Sequence, residues 1–291
     1  MTAKKHILYK PYRFNYPKGI AIDSKYNIYI VDYGNKCIRK YDSVGRELLK
    51  FGDYYSCQNS IAVDKNNKVY VTNYSSIKIY TENGRFLKEY GIRGHGDEEF
   101  DCIHDVCIGD NGLIYIVDAL NHRVQILDDK GKFVFKFGGL GSGEGNFNTP
   151  HGICLDKMGN IYVSDILNHR IQKFDNKGIF ILSWGKFGND KDCFDSPGLI
   201  RCDKKGNIYV PDSHNNRVQK FDTSGKLVSE WVNSKNNSYF DNPYGIEIDK
   251  VNRVYVTGAN NHILQIFNST GEMLSIWGRQ NILIKVLNRE N

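Results

Sequence analysis

The sequence predicts an all-β chain folded as a six-bladed β-propeller of four-stranded antiparallel blades. Three registers carry that expectation. Tyr29, Tyr70, Tyr115, Tyr162, Tyr209 and Tyr255 recur at steps of 41 to 47 residues. A second aromatic series runs in step with them: Phe51, Tyr90, Phe137, Trp184, Trp231 and Trp277, which includes all three Trp of the chain. Four of the six Pro (Pro17, Pro150, Pro197 and Pro243) share a third register. A period of roughly 40–50 residues with four strands per unit is the mark of propeller blades.

The fourth unit shows the pattern most fully. Gly152 to Leu155 reads as its first strand, Ile161 to Ser164 as the second, Ile171 to Phe174 as the third and Phe180 to Trp184 as the fourth. Asp156-Lys157-Met158-Gly159 and Asp175-Asn176-Lys177-Gly178 lie between them as turns, rich in residues that bond their own backbone or accept positive φ. One blade cannot bury both its faces, so residues 14–278 are expected to form one cooperative domain. Residues 1–13 read as a basic N-terminal extension and residues 279–291 as a C-terminal one. The register leaves almost no chain before Phe14 for a strand donated to the last blade. Ile282 to Leu287 is a spare apolar segment that would bridge the first and last blades.

Composition narrows the classes. Hydrophobic residues make up 40% and charged residues 25%, enough to bury a core. No apolar run approaches the roughly 18–20 residues of a membrane span. Met1 to His6 leads into only a short apolar stretch, so no secretory leader is expected. Seven Cys without a CxxC pair read as reduced thiols of a cytoplasmic protein.

Asn168-His169-Arg170-Ile171-Gln172-Lys173-Phe174-Asp175 resembles the signature of the NHL-repeat propellers. So do Asn121-His122-Arg123-Val124-Gln125 and Asn215-Asn216-Arg217-Val218-Gln219, and the family's Pro-x-Gly-Ile opening stands at Pro17, Pro150 and Pro243. The resemblance spans roughly residues 14–278. Blade two departs at Asn73-Tyr74-Ser75-Ser76, which is two residues short and lacks the Arg. Blade six departs with Gly258 for the Asp and Ile263 for the Arg.

Chain direction places the position after the Pro and the Asn-His-Arg loop on one face, around the mouth of the central channel. The ring of residues expected there is Lys18, Asn59, His104, His151, Gly198 and Tyr244. Lys18, Asn59, His104, His151 and Tyr244 are the candidate ligand-binding residues. His104 and His151 are the candidate metal ligands, because imidazole is the commonest transition-metal ligand and a base near neutral pH. Asp105 would add a carboxylate. The resemblance extends to the peptidylglycine amidating lyases, which hold zinc with His at this repeat position. They use three His on alternate blades, whereas this chain has two on adjacent blades.

The remaining motifs read as structural. Asp118–Arg123, Asp165–Arg170 and Asp212–Arg217 are expected to be ion pairs within blades, and His122 and His169 to be solvated loop residues. Gly139, Gly141, Gly143 and Gly145 lead into another strand, as an interblade loop would. Cys107 and Cys154 are expected to be small core fillers. Arg201 and Glu247 share one register on neighbouring blades and are expected to pair on the inner wall.

Three functions follow in order of support. The first is a non-enzymatic platform docking a protein or small molecule at the channel mouth. The second is a metal-dependent lyase or hydrolase, with a metal such as zinc on the two His. The third is single-stranded RNA binding, which some NHL propellers perform. Charge weighs against RNA. Residues 1–18 carry five basic residues and no acid, and residues 279–291 add a net +2. With a total of +6, the propeller between them is left near neutral at −1.

Overall fold

The computed structural model describes residues 8–10, 14–52, 59–232 and 240–278. They form six four-stranded antiparallel sheets in which each chain segment lies beside the next, as the sequence predicts. The first strands are Pro17–Ile22, Ile61–Val63, Ile103–Ile108, Pro150–Leu155, Arg201–Cys202 and Pro243–Ile248. First strands of successive blades touch one another, so they line the channel. Among the described residues, helix is confined to two single 3-10 turns, Tyr33–Asn35 and Ile166–Asn168.

There is no single central core. Each pair of neighbouring blades closes on its own apolar wedge. Ile161 and Val163 face blade three, among Val117, Val124 and Ile126. Tyr162, between them, faces blade five, among Ile200, Ile208 and Val210. Alternation along one strand therefore buries both faces, and every residue of Ile161–Asp165 is buried. All six repeat Tyr are buried, at 5% exposure or less. In five blades the hydroxyl donates to the Asp that opens the turn between the first two strands, as Tyr162 does to Asp156 at 3.1 Å. The sixth, Tyr115, has Gly109 where the others have Asp.

The second aromatic series is bound to a glycine series. Gly178, in the turn before the fourth strand of blade four, has φ of 80°, where a side chain is strained. A Cβ there would also lie 2.6 Å from the Phe137 ring of blade three. Gly225 meets Trp184 and Gly271 meets Trp231 in the same way. The aromatic of one blade packs against the turn of the next, which is why both residue types recur with one period.

The start of the ring differs from expectation. Leu8–Lys10, assigned above to the extension, pairs in parallel with the outer strand of blade six, Met273–Gly278. Leu8 stands opposite Ser275 and Lys10 opposite Trp277. A donated strand is therefore present, but as a fifth, added to a blade that already has its own four. Phe14, Tyr41 and Trp277 form the wedge between blades one and six. The Ile282–Leu287 segment lies outside the described residues.

Candidate functional site at the channel mouth

The Pro-x-Gly-Ile opening has a steric cause. A Cβ on Gly152 would lie 2.7 Å from Leu199 Cα and Ile200 N, and one on Gly245 would lie 2.2 Å from Lys18 O. First strands crowd each other at this level, and glycine admits the approach. The residue before it then points to the channel mouth.

The ring assembles as the spacing predicts. The His104 and His151 rings meet edge to face, with centroids 4.6 Å apart. His151 Nε2 lies 3.1 Å from the Tyr244 hydroxyl. Lys18 Nζ donates to Asn59 Oδ1 at 2.7 Å and stands 3.7 Å above the Tyr33 ring and 5.4 Å from that of Tyr244. Tyr33 was not among the expected residues. It lies in the 3-10 turn after the second strand of blade one, in the loop that the repeat places on the mouth face.

Burial sets the protonation of this ring. His151 is 4% exposed, and burial, reinforced by the Lys18 charge, lowers its pKa to about 4. Burial, then His151 and Lys18, holds His104 well below the ordinary imidazole value. Burial pushes the Tyr244 phenol up. Both imidazoles are neutral at pH 7, and the Nδ1 atom of each is buried without a hydrogen-bond partner.

Asp105 does not join them as a ligand. It occupies the glycine position of the opening motif in blade three, and Ser60 does so in blade two. Its carboxylate accepts from the Ser60 hydroxyl, from the Ile153 amide of blade four at 2.9 Å and from Arg201 Nη1 of blade five at 3.0 Å. Arg201 Nε reaches Glu247 of blade six at 3.3 Å, so the expected inner-wall pair is present with a second carboxylate added. Burial opposes the charge on Arg201, but Asp105 and Glu247 outweigh it and raise its pKa. Burial also raises the Glu247 pKa. Together these groups bridge the channel just below the ring. The departure from Gly at Ser60 and Asp105 was the sequence signal for this network.

A zinc site of three protein ligands does not fit these residues. The two His supply two nitrogens, Asp105 is engaged by Arg201, and no group of three or more His, Cys, Asp or Glu able to hold a metal occurs among the described residues.

The outer loops match expectation in part. Asp118–Arg123, Asp165–Arg170 and Asp212–Arg217 are ion pairs of 2.8, 2.9 and 2.7 Å. Each Arg also donates to carbonyls of the preceding interblade loop, as Arg123 does to His95, Gly96 and Glu99. In blade one, with Cys37 at the usual Arg position, Arg39 reaches Asp32 from two residues on, at 2.6 Å. His122 is not merely solvated. It takes φ of 53° and its Nδ1 accepts the Thr149 amide of blade four at 3.1 Å. His262 does the same for Tyr16 across the closing junction, at 2.9 Å.

Two cysteines also depart from expectation. Cys154 and Cys202 form a disulfide between the first strands of blades four and five, rather than remaining reduced thiols. Cys107 stays a free thiol whose pKa burial raises to about 12.

Fold and repeat together define the class: a six-bladed β-propeller. A family described as a 6-bladed beta-propeller matches residues 103–189, and the NHL repeat matches residues 14–41. Among solved structures, a catalytically inactive virginiamycin B lyase from Staphylococcus aureus with quinupristin is 17% identical, with a TM-score of 0.67. The match covers 91% of this chain and 84% of that one. A gluconolactonase from Xanthomonas campestris is 15% identical, with a TM-score of 0.65 over 85% of this chain and 84% of that one. A Bacteroides thetaiotaomicron protein of unknown function is 17% identical, with a TM-score of 0.68 over 88% and 70%. At these identities the likeness is one of fold. No helix among the described residues is long and apolar enough to cross a membrane.

Proposed function

We propose that this propeller is a binding module that receives a small ligand, or a side chain of a protein partner, at its channel mouth, with the ring residues as the cup that holds it. The observation that carries this reading is convergence. Five side chains from five blades, Lys18, Asn59, His104, His151 and Tyr244, meet in one chain of ring contacts and hydrogen bonds. They offer one cation, neutral donors and acceptors, and aromatic walls, over a floor bridged by Arg201 and Asp105. Rigid blades hold them, so little ordering is left for a ligand to impose.

The test is a thermal-shift screen of a metabolite panel against wild-type protein and the His104→Ala/His151→Ala double variant. Compounds that stabilise the wild type should lose that effect in the variant, which should still melt cooperatively. Stabilisation that persists in the double variant, and disappears instead on altering the Asp118–Arg123 loop, would move the site to the outer loops.

A second reading is favoured by the two unpartnered imidazole nitrogens. In it, His104 and His151 hold a transition metal for a lyase or hydrolase. Two protein ligands fall short of the usual catalytic zinc set, so no chemical step is derived through a metal. Elemental analysis of protein purified without a His tag decides it. Stoichiometric metal, lost in the double variant, would favour the enzyme.

A further inference from the structure

The five side chains of the cup come from different blades, so their spacing depends on what holds the first strands together. The buried network below them does this. Asp105 is the residue after His104, and its carboxylate accepts the Ile153 amide, two residues beyond His151. It also accepts the hydroxyl of Ser60, the residue after Asn59. Arg201, three residues beyond Gly198, joins it and donates to the Ile153 and Ile200 carbonyls at 3.3 and 2.8 Å. Arg201 also reaches Glu247, three residues beyond Tyr244. Every position of the ring except Lys18 thus lies within three residues of this network.

Burial makes the arrangement stiff. Asp105 is fully buried and Arg201 is 8% exposed. A guanidinium with two carboxylates and two carbonyls around it has a fixed plane, and its fork cannot be reproduced by an ammonium. Such a pair adds little net stability, because desolvation offsets attraction, so its value lies in geometry.

We infer that the Arg201–Asp105 bridge is the positioning device of the cup, setting the contact between His104 and His151 from below without touching what the cup binds. The inference rests on the reading of the cup as the binding site, yet its test needs no ligand. Protein labelled with 15N in histidine reports both imidazoles, assigned through His104→Ala and His151→Ala. In Arg201→Met and Asp105→Asn both signals should move and the cross-ring contact between them should be lost. Arg201→Lys should restore them only in part. The double variant Asp105→Leu/Arg201→Met leaves neither charge of the pair buried without its partner, and it carries the test if a single variant does not fold. Tyr162→Phe, which removes a hydrogen bond elsewhere in blade four, is the control for general destabilisation and should leave both signals in place.

Unchanged His104 and His151 signals in a folded Arg201→Met or double variant would overturn the inference. A ligand that needs both His yet binds Arg201→Met with unaltered affinity would overturn it as well. Signals that move as expected, with no ligand found by the screen above, would leave the positioning role standing and remove the binding reading alone.

Discussion

The Tyr244 hydroxyl of blade six lies 3.1 Å from His151 Nε2 of blade four, with blade five between them. The contact is made across Gly198, which holds the ring position of blade five and has no side chain to interpose. A Cβ there would stand 2.8 Å from the Tyr244 carbonyl, so the gap in the ring and the approach of the next strand have one cause.

The buried imidazole should make the fold sensitive to mild acid. His151 takes up a proton at about pH 4 when folded and at about 6.5 when unfolded. Between those values the unfolded chain binds the extra proton, so stability is full above about pH 6.5 and falls toward pH 4. The expected loss from His151 is about 3 kcal/mol. His104 shifts in the same direction. Asp165, Asp212 and Glu247 are shifted up and act in the opposite sense, so the effect is read as a difference. Urea unfolding at pH 7 and 4.5 should show a flatter profile for His151→Gln than for wild type. Equal slopes would show that His151 is not buried neutral.

Tyr162→Ala should cost about 3–5 kcal/mol, the usual range for deleting a buried aromatic ring. Tyr162→Phe, which loses only the bond to Asp156, should cost about 1 kcal/mol. Chemical denaturation measures both. A Tyr162→Ala midpoint equal to that of wild type would contradict the burial of this register.

Arg39→Ala should destabilise by about 3 kcal/mol, because it leaves the fully buried Asp32 carboxylate without its cation. The Asn15 amide and Asn35 side chain that also hold Asp32 temper the loss. Cys37→Ala, at the usual Arg position, should cost far less. If the two variants melt alike, Arg39 is not the substitute partner.

Peptide mapping under non-reducing conditions should recover Cys154 joined to Cys202. Replacing both by Ser should lower stability by about 2–4 kcal/mol, since the bond closes a loop of 48 residues. Recovery of both as free thiols, together with an unshifted melt for the double variant, would exclude the bond.

The parts of this structure that were legible in the sequence are those repeated in it. Blade number followed from Tyr and Trp spacing, because each blade meets the same packing demand. The mouth ring followed from chain direction, which carries a Pro-register position to the same place in every blade. What stayed hidden occurs once. Asp105 and Arg201 are 96 residues apart on non-adjacent blades, and only three-dimensional closure makes them neighbours. Leu8–Lys10 has no repeat counterpart, so nothing in the spacing marked it as a strand. Arg39 serves Asp32 from the register where other blades have Gln, such as Gln125 and Gln172, so the repeat does not mark it as the partner.

Closure of the ring has a kinetic consequence. Five junctions between blades are continuous chain, whereas blades six and one meet with no peptide bond between them. That seam rests on three residues of parallel pairing, on the Tyr16 amide bonded to His262, on the Thr257 hydroxyl bonded to the Lys18 carbonyl, and on the wedge of Phe14, Tyr41 and Trp277. It works as a latch. Its release would turn a closed ring into an open arc of stacked sheets, a sub-global opening that leaves each blade intact. Amides of Ser275 to Trp277 should therefore exchange with solvent through a partial opening, while those of Ile161 to Asp165 wait for global unfolding.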